Sequence, residues 1–112
     1  MKISKYKLHS QNLDKLINYL KTQFQFSYEN QSTDMSVLAA EKFYFRNNST
    51  QLNLLILKVK NSIIEIDVIG GAGGSGLLNI NLWSEKSFIK KAEKVLKTYS
   101  EENGLLFSEF SA

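Results

Sequence analysis

The 112-residue chain has no cysteine and no proline. Without thiols it has no disulfide framework, no thiolate metal site and no cysteine nucleophile. His9 is the only histidine, which removes multi-histidine metal sites and paired-histidine acid–base chemistry. Arg46 is the only arginine among 14 basic residues. Arginine is the usual bidentate reader of guanine edges and phosphate, so its scarcity argues against a sequence-specific reader of nucleic acid. The 14 basic residues against 11 acidic ones leave a net charge of +3, too small a bias to imply a nucleic-acid partner by itself. No run approaches the ~18 apolar residues of a membrane span. The start, Met1 to Lys7, lacks the apolar stretch of a signal peptide, so a cytoplasmic location is expected. What is present is ordinary globular material, 43% hydrophobic and 22% charged. One domain spanning residues 1–112 is expected, burying roughly two-thirds of its unfolded surface.

Lys2 to Leu8 reads as a strand. Leu13, Leu16, Ile17, Leu20 and Phe24 recur at helical spacing, with Ser10 or Asn12 as cap, Asp14 favourably placed in the first turn and an end near Gln25. Phe26 to Ser36 has no clear period and reads as a loop, with room for a short strand. Val37 to Arg46, Gln51 to Lys60 and Ile63 to Ile69 read as strands, separated by Asn47-Asn48-Ser49-Thr50 and by Asn61-Ser62. A two-residue turn at Asn61-Ser62 sets Val59 against Ile64, Leu57 against Ile66, Leu55 against Val68 and Lys58 against Glu65. Leu77 to Trp83 alternates and reads as a strand. Ser84 then caps a helix whose apolar stripe is Phe88, Ala92, Val95, Leu96 and Tyr99, with Asn103-Gly104 as its stop. The tail, Leu105-Leu106-Phe107 and Phe110, is too apolar to stay in water and should dock on the body or on a partner.

The expected fold is α+β: a mainly antiparallel sheet with two helices on one face, in the order β-α-β-β-β-β-α. That order is similar to those of TATA-binding-protein-like and helix-grip folds, in the sequence of elements alone. The sheet should be apolar on both sides. Leu55, Leu57, Val59, Ile64, Ile66 and Val68 share one face of the central hairpin, while Leu52, Leu54, Ile56, Ile63 and Ile69 share the other with the charges. Two helices cover only one side, and a solvated back should alternate cleanly between apolar and polar. A symmetry mate, the tail, or a ligand or partner is therefore expected on part of the second face. The faces of Phe43, Tyr44 and Phe45 depend on the parity of the Asn47 turn.

Gly71-Ala72-Gly73-Gly74-Ser75-Gly76 matches the dinucleotide fingerprint in letters. That motif works by opening a helix whose N-terminus faces pyrophosphate. A strand is expected next here, and Leu77 stands where a phosphate-loop motif requires lysine. A flexible connection, or a loop that meets a partner, explains the glycines better. His9 has no nucleophile beside it in sequence. Glu65 and Asp67 share a strand face and would suit a metal or acid–base work, but Lys58 and Lys60 on the neighbouring strand explain them as charge pairs. Lys86, Lys90, Lys94 and Lys97 form one stripe on the last helix. It would suit an anion or phosphate track, but no aromatic interleaves it, and a solvated helix face produces the same pattern. No catalytic, metal or cofactor set emerges.

The segment Gly70 to Tyr99 resembles a family of small proteins of unknown function from low-GC Gram-positive bacteria. The shared features are a Gly-Gly-Ser-Gly-type loop, an alternating strand, a Ser-Glu helix start and an amphipathic helix beginning Phe-Ile. The resemblance implies a bacterial origin and supplies no site residues. The expected function is a non-enzymatic protein-binding module, self-associating or bound to another protein. Its candidate surface is Leu54, Ile56, Ile63, Gly71, Gly73, Gly74 and Trp83. The alternative is a carrier of a small apolar ligand, held between the last helix and the sheet with Trp83 and Tyr99 near the mouth.

Overall fold

Asn12 caps the first helix, α1 (Leu13–Gln23), by accepting the Lys15 backbone N–H at 3.1 Å through its side chain. Its buried residues are Leu13, Leu16, Ile17 and Leu20, the stripe that the helical spacing predicts. The strand before it is β1 (Lys2–Leu8). After it come β2 (Tyr28–Gln31), β3 (Met35–Tyr44), β4 (Ser49–Lys60), β5 (Ile63–Gly70), α2 (Asn81–Asn103) and β6 (Phe107–Phe110). The computed structural model describes residues 1–44, 49–71 and 81–110, with the backbone alone described at 42–44, 49–50 and 81–86.

The six strands form one sheet in the order β2-β3-β4-β5-β1-β6, and every pairing is antiparallel. The molecule is α+β. The β4–β5 register is the one the turn dictates: Val59 opposite Ile64, Leu57 opposite Ile66, Leu55 opposite Val68 and Lys58 opposite Glu65. Asn61 and Ser62 both have positive φ, 53° and 63°. This is the twist that a two-residue hairpin turn needs to match its strands. Tyr44 pairs with Ser49 and Phe43 with Thr50. Arg46, expected in the strand, lies outside the described residues with Phe45.

Two sequence expectations need correction. Asn81, Leu82 and Trp83 are helical, so the alternating segment is not a strand at its C-terminal end, and its first part, 77–80, lies outside the described residues. Ser84 is within the helix and is not its cap. Short apolar runs carry both periods, and no Gly or Pro separates Asn81 from the helix behind it. The fourth strand between the helices is instead β2, from the segment read mainly as a loop. Its residues are all exposed, so no burial pattern marks it in sequence.

Both helices pack on the face bearing Tyr6, Leu8, Leu38, Leu55, Leu57, Ile64, Ile66 and Val68, and with them form one continuous core. All five residues of the predicted α2 stripe, Phe88, Ala92, Val95, Leu96 and Tyr99, are buried in it. The helix ends in a Schellman motif: the Leu105 N–H donates to Ser100 O at 2.8 Å, with Gly104 at φ +63°. A Cβ at Gly104 would meet no atom within 4 Å, so Gly104→Ala carries only the left-handed backbone penalty. We expect a loss of about 1 kcal/mol, read as a lower denaturant midpoint with an unchanged m-value.

The tail docks on the body. Residues Phe107 to Phe110 pair with Leu8 to Lys5, and the Phe107 ring stacks on Tyr6 with centres 5.3 Å apart.

Candidate functional site

Alternation along each strand sends the residues between the core positions to the opposite face. There the register lines up Tyr28, Ala39, Leu54, Ile69 and Ile3, each directly opposite the next, across β2, β3, β4, β5 and β1. Ile3 is 49% exposed and Tyr28 55%; Leu54 and Ile69 are half-buried, and the small Ala39 is buried. The next row holds Val37, Ile56, Asp67 and Lys5 in the same strand order. The row beyond holds Met35, Lys58, Glu65 and Lys7. The open face is therefore apolar along its first row and charged two rows on, with the exposed Glu41, opposite Leu52, on the other flank of the apolar row.

Opposite charges face one another across the strands. Lys5 Nζ donates to Asp67 Oδ1 at 3.0 Å, and Lys58 lies opposite Glu65. Lys60 does not serve Asp67 as expected: it lies opposite Ile63, while Asp67 faces Ile56 on one side and Lys5 on the other. The partner for Asp67 comes from β1, whose place beside β5 is set by long-range pairing. No group of three or more His, Asp or Glu among the described residues is arranged to hold a metal.

Of the candidate surface, Leu54 and Ile56 lie on this open face, and Ile63 lies at its margin by the hairpin turn, all three half-buried. Gly71, at φ +74°, lies where β5 leaves the sheet. Its N–H donates to Asn53 Oδ1 at 3.1 Å, and that oxygen also accepts from Gln51 Nε2 at 2.6 Å. Gln51 and Asn53 are buried on the helix side, and sequence reading missed them as core polar residues. Gly71 is therefore tied to the covered face and is not part of the apolar row. Gly73 and Gly74 lie outside the described residues. Trp83 and Lys86 lie in the first part of α2, where only the backbone is described. Lys90, Lys94 and Lys97 are exposed, and Lys97 pairs with Glu93 at 3.7 Å, as on a solvated helix face. Tyr99 is buried with its ring centre 5.1 Å from that of Tyr19, so it belongs to the core and not to a mouth. His9 is exposed, and its backbone N–H donates to Leu106 O.

Sequence reading missed Ile3, Tyr28 and Ala39 as members of the row. Ile3 and Tyr28 come from opposite sides of the sheet, and only the strand order brings them into line. No helix among the described residues is long and apolar enough to cross a membrane.

Comparison with curated proteins and with solved structures returns no match. A family model does match, over residues 4–100, from β1 into the last turn of α2. The chain belongs to that family, described as a family of unknown function (DUF6054).

Proposed function

We propose that this chain is a non-enzymatic protein-binding module of the bacterial cytoplasm that self-associates through the open face of its sheet. The observation behind this reading is the apolar row from Tyr28 to Ile3, on the face opposite both helices. A row of five apolar residues crossing five adjacent strands is not what a water-facing antiparallel sheet carries.

The dimensions suit a second copy. Six strands ~4.8 Å apart and about seven residues long span a face on the order of 600 Å². A standard interface takes about 800 Å² from each partner, so a modest, reversible dimer is the matching assembly. A two-fold axis through Leu54 lays row on row at the ~10 Å spacing of packed sheets. The paired charges of Lys5, Asp67, Lys58 and Glu65 then fall at the rim, where polar groups belong. Size-exclusion chromatography with light scattering, run across a concentration series, tests this. The expected mass rises from monomer to dimer with a midpoint of about micromolar concentration. A monomer mass at every concentration, up to about a thousand times that midpoint, overturns self-association.

A further inference from the structure

We propose that the outer edge of β1 is a strand-acceptor site, and that its resident strand, Phe107–Phe110, is exchangeable with the same segment of a second copy. The proposal stands on a different surface from the open face and does not rest on it.

The edge has three recognition features. Its backbone pairs with β6 from Lys5 to Leu8 and continues through the His9 N–H, which donates to Leu106 O at 3.0 Å. On the covered side the Tyr6 ring stacks nearly parallel to Phe107, at 16°. On the open side the Lys7 ammonium lies 4.6 Å from the Phe110 ring centre, a cation–π contact. Residues three apart on a strand project to opposite faces. The site therefore fits an extended Phe-x-x-Phe segment that straddles the edge with one ring on each side. Such a segment is present in this chain at Phe107–Phe110, and any second copy offers an identical one.

The occupant is lightly held. It is four residues long, pairs with a single strand, and its two rings are only half-buried. Only Gly104, Leu105 and Leu106 join it to α2, so the Gly104 turn is the hinge. The family match runs from residue 4 to residue 100: the paired part of β1, Lys5 to Leu8, lies within it and β6 outside it. Exchange of an edge strand between identical chains preserves every contact and needs only a hinge change.

The chain has no cysteine, so introduced thiols report pairing without background. Lys7 and Ser108 are directly opposed across β1 and β6, at a spacing that a disulfide bridges. Lys7→Cys and Ser108→Cys chains, each confirmed as folded by circular dichroism, are mixed at high concentration and oxidised. Exchange predicts a mixed disulfide dimer exceeding either homodimer by about tenfold, the ratio that a preference of roughly 1.4 kcal/mol sets. A mixed dimer at only the chance excess of about twofold overturns the proposal. So does a mixed dimer that disappears when Leu54→Asp is placed in both chains: Lys7 and Ser108 both lie on the open side, and a product lost with the apolar row comes from open-face packing.

Discussion

Leu54→Asp is expected to abolish self-association at concentrations where the parent chain is dimeric, raising the dissociation constant at least about a hundredfold. Leu54 is the middle residue of the apolar row, opposite Ala39 on one side and Ile69 on the other. In a two-fold assembly it meets its own copy, so each interface receives two carboxylates. Losing a central apolar contact costs about 2 kcal/mol or more, and enclosing an unpaired carboxylate adds to that. The fold itself should survive. Leu54 is half-buried and makes no part of the helix-covered core, so the expected loss is about 1 kcal/mol, or roughly 5 °C in Tm. Sedimentation velocity and a thermal melt of the same preparation separate the two effects. If Leu54→Asp keeps the parent's mass at every concentration, the row is not the interface.

The largest expected effect on the fold itself is at Tyr6. Its side chain is 1% exposed, stacks on Phe107 and donates from Oη to Glu93 Oε1 at 3.2 Å. One residue thereby ties β1 to β6 and to α2. Tyr6→Ala should cost about 3–5 kcal/mol by cavity formation, measured as a fall in the denaturant midpoint. Tyr6→Phe keeps the ring and loses only the hydrogen bond, at about 1 kcal/mol.

The phenol also predicts an alkaline limb. Burial, with the Glu93 charge adding to it, pushes the Tyr6 pKa up to about 12 from 10.0. The unfolded chain therefore releases this proton first. The stabilisation is fully present below pH 10 and falls away as pH rises from there to about 12, by an amount on the order of 2 kcal/mol. Burial also raises Tyr99 and Tyr19, so both add to the same limb. Tyr6→Phe should flatten it without removing it. Denaturant midpoints at pH 9, 10 and 11 for the two chains test this, and an equal slope in both would exclude Tyr6 as a source.

The parts legible in the sequence are those governed by neighbours along the chain. A helix over Leu13, Leu16, Ile17 and Leu20 follows from spacing and an Asn cap. The β4–β5 register follows from a two-residue turn, since one slip would exchange the two faces. The Schellman stop at Gly104 follows from the freedom of glycine at positive φ. Composition alone excluded thiol chemistry. The two-sided apolar character of the hairpin was also visible, because alternation assigns Leu55 and Leu57 to one face and Leu54 and Ile56 to the other.

Where local signals conflict or are silent, tertiary structure decides. Asn81 to Trp83 satisfy both periods, and the helix prevails. Tyr28 to Gln31 carry no apolar pattern at all and become a strand because β3 presents an edge to pair with. Asp67 finds Lys5 and not Lys60, for β1 inserts between β5 and β6. The row from Tyr28 to Ile3 draws one residue from each of five strands, and its continuity depends on long-range hydrogen-bonded registers that no local window contains. The amino-acid order thus determined what each segment is and which side of it is apolar. Only the assembled sheet, through pairing between strands distant in the chain, decided that those apolar positions form one surface.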